Sequence, residues 1–185
     1  MGLKQWLKTI LGIPSPKQKE LKFLVAQGLK LGKNPRIHAE YPFDALFPWL
    51  ISVGNNVCIS SDVKILAHDT STEYTNGYTK IGMVKIGDDV YLGHGVTVLC
   101  GVKIGDRAIV GAGSVVTSDI PEGCVYAGNP ARFICTVSEF QKKQEKRMCQ
   151  VTVFQGPCQR WRSLSQREKE KMLDAIQKNG IGYMS

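Results

Sequence analysis

The sequence predicts a mainly β protein: a column of parallel strands wound three to a coil, with α-helical segments before and after it. Three observations carry that expectation. A branched aliphatic residue recurs at every sixth position from Val53, a small residue follows it in most repeats, and one polar interruption breaks the spacing before it resumes.

Val53, Ile59 and Ile65 are six apart, and so are Ile86, Leu92, Val98, Ile104, Val110 and Val116. Val, Ile and Leu fill only 44 of the 185 positions, so composition does not account for the pattern. The next residue is Gly54, Ser60, Gly87, Gly93, Gly105, Gly111 or Thr117 in most hexads. Four positions after the key aliphatic stands a second apolar or small residue: Val57, Val63, Val90, Val96, Val102, Ala108, Ser114 and Ile120. A helix would put residues six apart on nearly opposite faces, and a period-two strand would not reserve one slot for small residues. A three-sided coil satisfies both facts, with one hexad per side, the aliphatic pointing inward and the small residue expected to permit the turn at each corner. Each coil takes about eighteen residues and stacks on the next at about 4.8 Å, so the hexads make three coils. No hexad buries its own aliphatic, and stability comes from stacking. Such columns are left-handed, an exception to the right-handed crossover rule. The expected fold is therefore a left-handed parallel β-helix built of hexapeptide repeats, with α-helical N- and C-terminal segments.

The flanks follow from capping signals. Ser15-Pro16-Lys17-Gln18 reads as a helix start, and Leu21, Phe23, Leu24, Val25, Leu29 and Leu31 extend that helix to about Gly32. Residues 36–50, interrupted by Pro42 and Pro48, read as irregular. Beyond the repeats, Ser138-Glu139-Phe140 opens a charged helix through Arg147, and Val151–Phe154 reads as a short strand. Ser165-Gln166-Arg167-Glu168 is a capping box for a second helix to about Lys178. The basic run 142–147 is a solvated helix face and not a nucleic-acid site, because Glu145 interrupts it and no aromatic platform accompanies it. The expected organisation is a helical and irregular segment over 1–50, the β-helix over 51–135 with a loop at 69–83, and a helical extension over 136–185.

A 20.4 kDa chain that is 43% hydrophobic and 22% charged can bury a core. Its net charge of +8 suits a polyanionic or phosphorylated ligand without choosing among them. The six cysteines, at 58, 100, 124, 135, 149 and 158, show no C-x-x-C spacing, which argues against a zinc knuckle or thioredoxin-like site and for reduced thiols. Residues 1–11 carry apolar positions at helical spacing, are interrupted by lysines and stop near Pro14. They are too short for a secretion signal, and Trp6 departs from the myristoylation pattern. They read as a helix packing on the protein or a sister subunit in preference to a membrane surface, and the expected location is cytoplasmic.

Several stretches carry a more specific likeness. Ile86-Gly87-Asp88-Asp89-Val90-Tyr91-Leu92-Gly93, Gly101-Val102-Lys103-Ile104-Gly105-Asp106 and Val110-Gly111-Ala112-Gly113-Ser114-Val115-Val116-Thr117 lead to a closing Ala127-Gly128-Asn129-Pro130-Ala131-Arg132. Over residues 51–134 this resembles the hexapeptide-repeat acyltransferases. The greatest similarity is to their galactoside/maltose acetyltransferase-like and capsular-polysaccharide O-acetyltransferase branch. Gamma-class carbonic anhydrases share the hexads, but the closing segment favours the acyltransferases. The resemblance implies a homotrimer that binds acetyl-CoA in a groove between neighbouring columns. It also implies O-acetylation of a sugar or glycan precursor, by direct attack and without a covalent enzyme intermediate. Serine, an amino sugar or an antibiotic are alternative acceptors, and a non-catalytic scaffold or binding module is the rival from another class.

From Ile65 to Ile86 is 21 residues, where unbroken hexads would need 18 or 24, so a hydroxyl-rich loop is extruded there. His68 stands just before it. The resemblance implies a general-base histidine at the start of such a loop, and Ala67-His68-Asp69 matches that place. Neutral imidazole suits the task of taking a hydroxyl proton as the new bond forms, a contribution of typically ~10²–10⁴-fold. Asp69 or Glu73 is expected to orient the ring. For the cofactor, the resemblance points to Tyr91, Gly93, Ala112 and Thr117, to the backbone N–H of His94 as an oxyanion donor, and to Arg132 at the nucleotide phosphates. This chain has Ser118 where a lysine is common and Cys135 where some relatives have arginine. Tyr74, Asn76 and Tyr78 are expected to border the acceptor. His38 reads as structural. With the three histidines 30 and 26 residues apart, no metal is expected.

Overall fold

The computed structural model describes residues 15–155 and 163–184. The segment 1–11 and Cys158 lie outside the described residues. The chain divides into two compact units, 1–137 and 138–185.

The first unit opens with the helix Pro16–Ala26, started by a capping box in which Gln18 N–H donates to Ser15 Oγ and Ser15 N–H to Gln18 Oε1. The helix stops well before Gly32. Gly28 sits at φ 105°, the Leu29 N–H donates to the Leu24 carbonyl and the Gly28 N–H to the Val25 carbonyl, both at 3.0 Å. This pair of bonds closes the helix end over the buried Leu24 and Leu29. The chain is thereby turned into a strand, so Leu29 and Leu31 serve the column and not the helix.

Three faces make up the column. The first holds β1 (Lys30–Leu31), β3 (Ile51–Val53), β8 (Val84–Ile86) and β11 (Lys103–Ile104), paired in that order. The second holds β2 (Arg36–Ile37), β4 (Cys58–Ile59), β9 (Tyr91–Leu92), β12 (Ile109–Val110) and β14 (Cys124–Ala127), closed by the antiparallel β15 (Arg132–Thr136). The third holds β5 (Lys64–Ile65), β10 (Thr97–Val98) and β13 (Val115–Val116), with Phe43 bridging to Ile65. All ladders between coils are parallel. The stretch read as irregular is thus partly an additional coil: Leu31, Ile37 and Phe43 are themselves six apart and lie on the three faces in turn.

The core follows the hexads. All nine key aliphatics from Val53 to Val116 are buried, and so is the second set from Val57 to Ile120. Ser114, the one hydroxyl in that second set, is fully buried and donates to the Gly111 carbonyl while accepting from the Gly128 N–H.

The small-residue slot has a different cause from the one expected. The left-handed backbone conformation falls three residues after the key aliphatic, at Asn56, Asp62, Asp89 and Arg107 among others. The residue directly after the aliphatic is small because the next coil passes against it. A Cβ on Gly87 would stand 2.8 Å from the Asp106 backbone nitrogen, and one on Gly93 would stand 2.7 Å from that of Ala112. Close approach of stacked backbone, not the turn, reserves the slot for glycine.

The second unit holds most of the helix Val137–Met148, the helix Gln166–Asn179 and a parallel pair of two-residue strands, Val153–Phe154 and Tyr183–Met184. Ser165 and Glu168 cap the second helix, Gly180 ends it at φ 74°, and the Tyr183 hydroxyl donates to Gln144 Oε1 at 2.7 Å. No helix among the described residues is long and apolar enough to cross a membrane.

Candidate functional site

The interruption is a hairpin. His68–Asp69 (β6) pairs antiparallel with Lys80–Ile81 (β7), and the Gly82 N–H donates to the Ala67 carbonyl to close the stem. Between them run a short 3-10 turn, Thr70–Thr72, and a single helical turn, Glu73–Asn76, ended by Gly77 at φ 75°. His68 therefore sits where the third face gives way to the first, at the root of the protruding segment.

Its partner comes from the coil before. Asp44, buried directly after Phe43, places Oδ2 against His68 Nδ1. The same oxygen accepts the Ala67 N–H at 2.9 Å, and Oδ1 accepts the Leu46 N–H at 3.0 Å. Burial pushes the Asp44 carboxyl upward, but the hydrogen bonds from His68, Ala67 and Leu46 together with the charge interaction with His68 outweigh it, so its pKa lies below the ordinary carboxylate value. An ionised Asp44 accepts from Nδ1–H, which leaves the lone pair of the neutral ring on Nε2. Phe47 lies against the imidazole, centroids 5.4 Å apart and planes at 54°, and Trp49 meets Phe47 edge-on at 5.7 Å.

Asp69 does not fill the orienting place expected for it. Its Oδ1 accepts the Ser71 N–H at 2.9 Å, which caps the 3-10 turn, and hydrogen bonds from the Ser71 hydroxyl and N–H hold its pKa low. As an extended-strand neighbour of His68 it points away along the hairpin, whereas Asp44 reaches the ring from the adjoining coil. Glu73 bonds the Thr79 hydroxyl instead. Tyr74 and Tyr78 are highly exposed on the hairpin, and Asn76 Oδ1 accepts the Tyr78 N–H.

The residues expected to serve the cofactor lie mostly on another edge. Tyr91 is on the second face, its hydroxyl accepting from Ser60. Gly93, His94 and Ala112 form the turns from second face to third in successive coils, with Gly93 stacked on Ala112 and the His94 carbonyl accepting the Gly113 N–H at 2.8 Å. The His94 ring is exposed, with Nε2 3.6 Å from Asp62 Oδ2. Arg132 opens β15, exposed, with Nη1 donating to the Ala131 carbonyl at 3.1 Å. Thr117 follows β13 on the same edge as His68, two coils further along. One chain thus brings His68 together with Asp44, Phe47 and the hairpin, and keeps Tyr91, Gly93, His94 and Ala112 apart from them. No group of His, Cys, Asp or Glu suited to a metal ion occurs among the described residues, and the five described cysteines are free thiols.

Residues 83–118 match the bacterial transferase hexapeptide (six repeats) family. The chain is 39% identical over 118 residues to the "Putative acetyltransferase YvoF" of Bacillus subtilis (strain 168), covering 64% of this chain and 66% of that protein. It is 40% identical over 100 residues to Protein CapG of Staphylococcus aureus, 52% of this chain and 58% of that one. To the galactoside O-acetyltransferase of Escherichia coli (strain K12) it is 32% identical over 123 residues, 65% of this chain and 60% of that one. The chain spans less than two thirds of the length of these curated relatives. In fold it is similar to the crystal structure of a hexapeptide-repeat containing acetyltransferase from Vibrio cholerae, with TM-score 0.55, 23% identity, and coverage of 72% of this chain and 88% of that chain.

Proposed function

The chain belongs to the hexapeptide-repeat transferases, and from that premise we propose that it is an acetyl-CoA-dependent O-acetyltransferase acting on a hydroxyl of a sugar or glycan precursor. The observation that carries the reading is the Asp44–His68 pair at the root of the hairpin. A half-buried imidazole with one nitrogen fixed by a buried carboxylate and the other left for a ligand is equipped to take a proton.

On this reading the acceptor hydroxyl donates its proton to His68 Nε2 as its oxygen attacks the thioester carbonyl. The carbon–sulfur bond then breaks, the acetyl ester forms, and the proton passes from His68 to the departing CoA thiolate. The Cys side chains take no part. Asp44 is the positioning residue. The backbone N–H of His94 has no hydrogen-bond partner among the described residues and is the proposed donor to the developing oxyanion. Tyr91, Gly93, Ala112, Thr117 and Arg132 hold the cofactor, and Tyr74, Asn76 and Tyr78 border the acceptor.

Because His68 and the Gly93–His94–Ala112 turns occupy different edges of one column, a complete site needs two copies, and a cyclic homotrimer supplies that arrangement. The column is taken as left-handed, with 51–135 as its body, helical segments in 1–50 and 136–185, and the coil at 30–43 completing the His68 edge. A cytoplasmic location, where acetyl-CoA is available as donor, is part of this proposal. Replacing His68 with Ala should lower acetyl transfer, read as free-thiol release, by ~10²–10⁴-fold while acetyl-CoA affinity is retained. Unchanged turnover would refute the assignment.

A further inference from the structure

We propose that Trp49 is a carbohydrate-stacking subsite, holding the sugar ring next to the one that is acetylated, so that the preferred acceptor is a glycoside or oligosaccharide and not a free monosaccharide. The inference rests on the O-acetyltransferase reading above.

Phe43 and Val53 occupy corresponding inward positions, yet they are ten residues apart where the hexad needs six. The additional length, within 44–50, supplies two things at once: the carboxylate that holds His68, and an aromatic pair beside it. The 3-10 turn Pro48–Leu50, closed by the Leu50 N–H on the Phe47 carbonyl, buries Pro48 and leaves Trp49 53% exposed. The base of Trp49 is nevertheless fixed. A Cβ on Gly28 would stand 2.8 Å from Trp49 Cβ, so the helix end that Gly28 forms at φ 105° leaves room for the tryptophan and nothing more.

The rings form a series. Trp49 meets Phe47 edge-on at 5.7 Å and 70°, and Phe47 meets His68 at 5.4 Å. Trp49 touches Phe47, and no direct ring contact between Trp49 and His68 occurs among the described residues, so on this proposal the acetylated ring sits at His68 and the next ring at the indole. The hairpin that His68 opens contributes hydroxyl and amide groups, among them Thr70, Ser71 and Asn76. An open indole offers a flat apolar face that suits the C–H side of a pyranose while the sugar hydroxyls stay in a polar rim.

The test uses the full chain with acetyl-CoA as donor and free-thiol release as the readout. Galactose, glucose, mannose and N-acetylglucosamine are offered as monosaccharides and as disaccharides, with serine alongside. The expected result is preference for a disaccharide. Trp49→Ala should then raise the KM for that disaccharide about tenfold, leave the KM for acetyl-CoA unchanged and remove the preference over the monosaccharide, while Trp49→Phe retains most of it. An unchanged disaccharide KM in Trp49→Ala, or a change in its oligomeric state, would overturn the subsite while leaving the enzyme reading intact. So would turnover confined to non-sugar acceptors that still requires His68. Unaltered turnover in His68→Ala would overturn the enzyme reading itself.

Discussion

Asp44 and His68 stand 24 residues apart in sequence and on consecutive coils in space, with the carboxylate of one against Nδ1 of the other. Stacking brings the two segments side by side, with Phe43 bridging to Ile65 and the Asp44 N–H donating to the Ile65 carbonyl, at about the strand separation of a sheet, and Asp44 itself begins the additional length before Val53. The pair joins a segment before the obvious repeats to the segment that interrupts them.

If Asp44 fixes the tautomer, Asp44→Asn should keep the fold and the acetyl-CoA affinity but lower kcat by about 10–100-fold, since an amide can present its N–H and leave the basic lone pair on the wrong nitrogen. The pH profile of kcat/KM should move with it. A variant that matched the native rate and profile would show that the contact is only structural.

The lowered pKa of Asp44 also sets a direction for stability. A carboxyl that is more acidic folded than unfolded contributes stability in full above its unfolded value, near pH 4, and loses that contribution as pH falls through the folded value. Acid unfolding of Asp44→Asn should therefore be less steep below pH 4 than that of the native chain. Equal steepness in urea midpoints measured from pH 6 to pH 2 would contradict this.

Much of this was legible in the amino-acid sequence, because burial in a stacked coil repeats with a fixed period. The inward aliphatics, the extruded 69–83 segment, His68 at its root and the two capping boxes all announce themselves by spacing. The first coil did not, although Leu31, Ile37 and Phe43 keep the spacing of six. Pro42, Pro48 and the additional residues before Val53 hide the period, and Leu29 and Leu31 also fit helical spacing until Gly28 ends the helix. Asp44 was missed for the same reason, and Asp69 drew attention through adjacency, which in a strand sends successive side chains apart. The glycine slot was visible, but its cause was not, since the approaching backbone belongs to the next coil.

That cause can be measured. Gly87→Ala would set a methyl group 2.8 Å from the Asp106 backbone nitrogen and should destabilise the column by about 1–3 kcal/mol. Leu92→Ala, which empties a fully buried position, should cost about 2–5 kcal/mol. If Gly87→Ala melted at the native temperature, the close approach would not be what reserves the slot.

The proposed division of the site between two edges of the column is tested most directly by mixing variants. Chains carrying His68→Ala and chains carrying Ala112→Trp, each inactive as pure assemblies, would be co-expressed with different tags and the mixed assemblies purified. The account predicts recovered acetyl transfer, because a native His68 from one chain then faces an unblocked cofactor edge of another. Mixed assemblies as inactive as their parents would contradict it.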